Sequence, residues 1–224
     1  MDEASTRVAH SKTVLSKEII INDSFAYLFT KRLLDIVASC LGLIFLSPLF
    51  LLLTILIKLE NPKGTVLFKQ TRVGKNEKEF KMYKFRSMVS NAEELLESLL
   101  DQNEVSGAMF KMKEDPRITK IGKIIRKTSI DELPQLVNVL KGEMSLVGPR
   151  PPLKREVEIY TEYQKLRLLV IPGCTGIWQV SSRNHVGFEA MLEMDMEYMR
   201  KRCLVLDMKL IYLTIMVMLR SKAF

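Results

Sequence analysis

Histidine is nearly missing from this chain. His10 and His185 are the only two in 224 residues, which argues against a histidine-based triad or zinc site. Cysteine is scarce too. Cys40, Cys174 and Cys203 are odd in number and far apart, with neither a disulfide framework nor metal-ligand spacing, so reduced cytosolic thiols are expected. No aromatic–basic RNA motif and no recognition helix is visible, so nucleic acid is not an expected partner. A signal peptide is not expected either, because Asp2 and Glu3 come first and no small-residue cleavage site follows an early apolar core.

One long stretch lacks charge altogether. Ile36 to Ile57 runs for 22 residues without an Asp, Glu, Lys or Arg, enough to cross a hydrocarbon core at roughly 20 residues. Ser47 and Pro48 sit at its centre, and a proline there removes a hydrogen bond and bends a helix. Lys31 and Arg32 precede the run, and Lys58, Lys63, Lys69, Arg72 and Lys75 follow it. The positive-inside rule would keep both flanks cytoplasmic. A bent helix that enters and leaves one leaflet satisfies both facts. A kinked transmembrane helix and a buried core helix are the competing readings.

The rest of the chain has the means to fold. Hydrophobic residues make up 47% and charged residues 27%, and the net charge is +8. That positive charge lies beyond residue 30, since the first thirty residues carry a slight acidic excess. A basic body suits phosphate-rich substrates or anionic lipid. Residues 1–30 read as a mobile or weakly helical extension. Residues 31–224 read as a membrane-associated domain, with the bent helix at about 32–58.

After the apolar run, alternating residues around a turn at Gly74–Asn76 predict a β-hairpin, Thr65 to Val73 and Glu79 to Met88. Lys84 and Arg86 would then share one strand face, as a phosphate contact or as a solvated basic face. Ser90 with Glu93 predicts a capping box and a helix with a leucine stripe. Arg117 to Lys127 carries five basic residues, which suit a solvated face, a lipid-headgroup contact or a phosphate cradle. Leu153 to Val170 reads as a charged amphipathic helix, and Cys174 to Val180 as a short strand or loop holding the only tryptophan, Trp178. Phe188 to Arg202 reads as a helix whose apolar stripe includes Asp195. That carboxylate requires a partner, from Arg183 or the Lys31–Arg32 pair. Leu210 to Leu219 is too short to span a bilayer and predicts an interfacial or packed helix.

The densest chemistry lies in RKTSIDELPQLVNVLKGEMSLVGPR, from Arg126 to Arg150. Asp131 and Glu132 are adjacent and lie between two arginines. Pro134 places a helix start near Asp131, whereas Ser129 with Glu132 as a capping box would start it two residues earlier. Lys141 and Gly142 are the expected stop. Prolines on both sides of Arg150 restrict its backbone and aim its side chain. Carboxylates, arginines and a helix start fit phosphate chemistry with a divalent metal. A structural set of ion pairs has the same spacing.

Taken in order, KRLLD, the Ser47-Pro48 break, FKQTRVG, YKFRSM, DPRIT, the DELPQ…GPRP block, PGCTGIWQV and LEMDMEYM resemble the bacterial sugar transferase family, in its small single-domain monotopic form. The resemblance covers about Thr30 to Phe224. It implies an α+β fold that is mostly helical, with an N-terminal re-entrant membrane helix, a small antiparallel β-hairpin and interfacial amphipathic helices. It implies an enzyme on the cytoplasmic face of the bacterial plasma membrane. The reaction would move a sugar-1-phosphate from a UDP-sugar to a polyprenyl phosphate, with Mg²⁺ as cofactor and UMP released, as a first membrane step of glycan assembly. Asp131 and Glu132 match the family's catalytic dyad and would hold the metal, with Asp131 as nucleophile. Arg126 and Arg150 match its phosphate-binding arginines, and Lys84, Arg86 and Arg183 are further candidates. Membrane lipid, a second copy of the chain and downstream glycosyltransferases are the other expected partners. A one-step transfer and a catalytically silent membrane scaffold are the competing functions.

Overall fold

A computed structural model describes residues 21–103, 112, 114–181 and 187–219. The N-terminal residues up to 20, and with them most of the expected extension, lie outside it.

The long apolar run folds as two helices, α1 (Phe25–Phe45) and α2 (Ser47–Glu60), bent by 58° at Leu46. The Ser-Pro pair explains how the bend is tolerated. Pro48 has no N–H to give the carbonyl of Ile44, and the Ser47 hydroxyl donates to that oxygen instead, at 2.8 Å. No single helix among the described residues is long and apolar enough to cross a membrane, but this bent pair qualifies by length and composition. Its outer faces expose Phe29, Ile44, Phe45, Leu51 and Leu52, a far larger apolar surface than a water-facing helix normally shows.

The inner face of α1 is tied down by the polar residues of KRLLD. Arg32 donates to the carbonyls of Val139 and Leu140 at 2.6 and 2.8 Å, and Asp35 accepts from the Leu146 amide at 2.9 Å. Lys31 meets buried Asp207 at 2.9 Å. Helix α1 begins at Phe25, with buried Tyr27 donating to Asp207, so packing starts inside the span read as extension.

Strands β1 (Leu67–Val73) and β2 (Glu79–Phe85) form the expected antiparallel hairpin, in register Val73↔Glu79 to Leu67↔Phe85. Helix α3 (Ala92–Glu97) follows, but Asn91 occupies its N-cap without a side-chain bond, so the Ser90–Glu93 box does not form. Helix α4 (Lys120–Lys127) is capped by Thr119 and by Glu60, the last residue of α2, whose carboxylate accepts from the Lys120 amide at 2.8 Å. Ile125 packs with Leu53, Ile57 and Phe85, so α4 leans on α2 through its apolar side.

Helix α5 (Gln135–Lys141) stops at Gly142, which takes the left-handed conformation as expected. Strands β3 (Ser145–Val147) and β4 (Gly173–Thr175) pair in parallel, an addition to the expected hairpin. The predicted Leu153–Val170 helix is instead α6 (Lys154–Glu158), α7 (Glu162–Lys165) and a 3-10 turn to Leu169. Thr161 with Gln164 forms a capping box that restarts the chain, a local signal stronger than the amphipathic pattern around it. After β4 come α8 (Ile177–Ser181), α9 (Phe188–Lys201) and α10 (Leu204–Leu219). A core of Val147, Leu166, Val170, Leu192, Met196 and Met199 joins β3 to α9.

Candidate active site

The acidic pair does not open a helix in the way its spacing predicts. Ser129 has a left-handed backbone, φ 57°, and does not cap. It turns the chain out of α4 and into a single 3-10 turn, Ile130–Glu132, and α5 starts only after Pro134. The Ser129–Glu132 capping box is therefore not made, because its first residue is spent on the reversal.

That turn gives the two carboxylates different surroundings. Asp131 points inward and is buried. Burial pushes it up to about 6, against the pull of Lys84, with the charge of Glu132 adding to the rise and Arg126 opposing it. Glu132 points outward, half-exposed, and its carboxylate meets Lys84 Nζ at 2.7 Å. Strand β2, which carries Lys84, is tied to α5 by Asn138, a fully buried residue. The Asn138 side chain accepts from the Tyr83 amide at 3.0 Å and donates to the Lys81 carbonyl at 2.8 Å, which locks α5 beside β2. Asn138 was not singled out from sequence, although it shares a buried helix face with a second amide, Gln135, and that pair of amides is the signal that marks it.

Arg126, in the last turn of α4, lies within electrostatic reach of Asp131. Arg150 lies over the Trp178 ring, 5.8 Å from its centroid. Within electrostatic reach of both Arg150 and Glu132 the structure adds Arg72 of β1, which the sequence marks only as a basic flank of the apolar run. Arg72 is buried and donates to the Pro151 carbonyl at 3.1 Å and to Gln70 at 2.8 Å. Burial and the neighbouring charge of Arg150 push its guanidinium down to about 9.

Two expectations are redirected. Arg86 does not face the dyad with Lys84. Strand β2 ends at Phe85, and the buried Arg86 guanidinium donates to the carbonyls of Ile57 and Asn61, at the end of α2. Asp195 finds its partner in buried Arg167, not in the Lys31–Arg32 pair, because those two face Asp207 and α5. Arg183 lies outside the described residues.

Among the described residues, no three His, Cys, Asp or Glu side chains converge into an all-protein metal cage. Asp131 and Glu132 offer hard carboxylate oxygens. One or two such groups fit a Mg²⁺ that shares its remaining positions with substrate phosphates and water.

The Bacterial sugar transferase family model matches residues 26–221, nearly all of the described chain. The chain belongs to that family. Among its curated relatives is the galactosyl transferase CpsE of Streptococcus agalactiae serotype III (strain NEM316), 47% identical over 196 residues, 87% of this chain and 43% of the relative. The undecaprenyl-phosphate galactose phosphotransferase of Salmonella typhimurium is 45% identical over 196 residues, 86% of this chain and 41% of the relative. The UDP-N-acetylgalactosamine-undecaprenyl-phosphate N-acetylgalactosaminephosphotransferase of Aeromonas hydrophila is 41% identical over 199 residues, 84% and 43% respectively. This bacterial sugar transferase thus spans less than half the length of these three relatives. The Ser-Pro break, the acidic pair and the GPRP arginine all fall inside the matched span.

Proposed function

We propose that this bacterial sugar transferase moves a sugar-1-phosphate from a UDP-sugar to a polyprenyl phosphate, in two steps. The observation that carries the reading is the division of the acidic pair. One carboxylate is buried and the other is turned outward onto a lysine, with Arg126 in reach, in a family whose relatives are named for such transfers.

In the first step an Asp131 carboxylate oxygen attacks the β-phosphorus. The bond from that phosphorus to the bridging oxygen breaks, and UMP leaves with the bridging oxygen. In the second step a phosphate oxygen of the lipid attacks the same phosphorus, the bond to Asp131 breaks, and the carboxylate is restored. Splitting the transfer suits one substrate dissolved in water and another held in a bilayer. Glu132, steadied by Lys84, holds its carboxylate near the reacting phosphorus. Arg126 and Arg150 bind phosphate oxygens. Mg²⁺ held by the two carboxylates would neutralise diphosphate oxygens when bound.

The bent α1–α2 pair enters and leaves the cytoplasmic leaflet, and α4 rests against it with Lys120, Lys123 and Lys127 at headgroup level. The basic flanks, the Ser47-Pro48 break and the exposed apolar faces support that placement. The test is UMP release from a panel of UDP-sugars by full-length protein, with and without undecaprenyl phosphate. Turnover that requires both a UDP-sugar and the lipid, with up to one UMP per enzyme released without lipid, supports the proposal. No UMP release with any donor defeats it, and rapid release only when lipid is present favours direct attack by the lipid.

A further inference from the structure

The segment 149–152 is Pro-Arg-Pro-Pro, so Arg150 supplies its only backbone N–H. Such a segment cannot form a normal ladder, yet its four carbonyls are all engaged. The Gly173 amide donates to the Pro149 carbonyl at 2.8 Å, and the Val73 amide to the Pro152 carbonyl at 3.0 Å. The other two carbonyls are held by buried arginines. Arg167 donates to the Arg150 carbonyl at 2.9 Å, and Arg72 donates to the Pro151 carbonyl at 3.1 Å. Arg167 also pairs with Asp195 and donates to the Tyr160 hydroxyl at 3.1 Å. Both partners of the Arg167–Asp195 pair are almost completely buried.

Burying charges in this way is costly, and a buried ion pair is often no more stabilising than apolar packing. Here the charges converge on the main chain of two adjacent residues, Arg150 and Pro151, and the Arg150 side chain lies over Trp178. We infer that Arg167, Asp195 and Arg72 are positioning residues that clamp the Arg150 peptide and so fix where its guanidinium meets substrate phosphate. The inference rests on reading Arg150 as a phosphate ligand. Arg72 contributes a second positive charge beside Arg150, so the clamp also prepares the place for an anion.

Arg167→Lys keeps the charge but loses the planar fork that reaches Asp195, Tyr160 and the Arg150 carbonyl together. With the UDP-sugar that wild type uses fastest, it is expected to lower kcat/KM about 10- to 100-fold. In a cycle with Arg150→Ala, the double variant should be no slower than Arg150→Ala alone, within about twofold. Losses that multiply would mean that Arg167 acts independently of Arg150 and would overturn the clamp. Asp195→Asn, which keeps the shape but removes the charge that pairs with Arg167, should repeat the pattern with a smaller loss and serves if the lysine variant does not fold. Hydrogen exchange at the Gly173 amide, which donates to the Pro149 carbonyl next to Arg150, needs no turnover. It should be slow in wild type and at least about tenfold faster in either variant, with the α9 amides unchanged. Unchanged exchange overturns the clamp. A wild type that uses no donor but shows this exchange pattern would sink the functional reading and leave the clamp standing.

Discussion

Asp131 and Glu132 differ by one position and one methylene, yet their surroundings assign them different work. Asp131→Asn removes the proposed nucleophile and keeps the shape, so it should abolish transfer while UDP-sugar binding, read by calorimetry, stays near wild type. Wild type with Mg²⁺ and labelled UDP-sugar but no lipid should release at most one UMP per enzyme and carry the label on Asp131. A fully active Asp131→Asn enzyme would rule out the two-step route. The same burial has a cost that can be measured without substrate. The carboxyl sits at about 6 when folded and 3.8 in its ordinary state. Between those values the folded chain holds more protons than the unfolded one, so stability falls as pH rises from about 4 to about 6 and then levels off. In EDTA, Asp131→Asn should gain on wild type across that window, by on the order of 3 kcal/mol at neutral pH. Denaturant melts at pH 4.5 and 7.5 read the difference, and an advantage that does not grow with pH would argue against a raised Asp131.

Elements are arranged here by a few residues that break regular structure. Ser129 holds a left-handed backbone immediately before the dyad, a conformation that costs a residue with a Cβ about 1–2 kcal/mol. Ser129→Gly should therefore melt at or slightly above the wild-type temperature. Ser129→Val should be about 1–2 kcal/mol less stable and lose turnover, because a β-branched residue cannot make the reversal without moving Asp131. Equal melting of all three would mean that the turn carries no strain. Pro48 has the corresponding role between α1 and α2. Pro48→Leu restores the amide that Ile44 lacks, so α1 and α2 should tend to straighten into one span. Cysteines placed at Lys31 and Lys63 should both label from the cytoplasmic side in the native chain, and the second should lose that access in Pro48→Leu. Opposite sidedness of the two flanks in the native chain would contradict a re-entrant helix.

At the scale of the whole molecule, the chain closes on itself between its first described residues and the α9–α10 corner. Arg202 is buried, donates to the Asn22 carbonyl at 3.0 Å, pairs with Asp23, and lies over the Tyr27 ring. Deleting residues 1–20 should leave turnover in detergent largely intact, because the dyad and the phosphate-binding candidates lie beyond residue 70. Extending the deletion through Asp23 strips Arg202 of two partners and should cost about 1–3 kcal/mol in thermal melts. A truncation at residue 20 that stays folded but loses turnover would show that the extension takes part in the chemistry.

Local signals in the sequence determined those features whose cause is local. The uncharged run with Ser47-Pro48 dictated a bent apolar helix, since proline removes an amide wherever the helix lies. Alternation dictated the hairpin, and Gly142 the end of α5. The order of short blocks was enough to place the chain in its family. The tertiary structure alone decided what depends on partners distant in sequence. Whether Ser129 caps a helix or reverses the chain depends on α4 and β2 packing against the turn that follows it. Arg86 turned to α2 while Lys84 turned to Glu132, because β2 ends between them. Asp195 demanded a partner from its own stripe, but which arginine answered depended on a 3-10 turn the amphipathic pattern did not announce. Arg72 became part of the site only because β1 runs beneath the Pro-Arg-Pro-Pro segment. A residue's type and spacing state what it needs; only the packed chain states what is within hydrogen-bond reach to supply it.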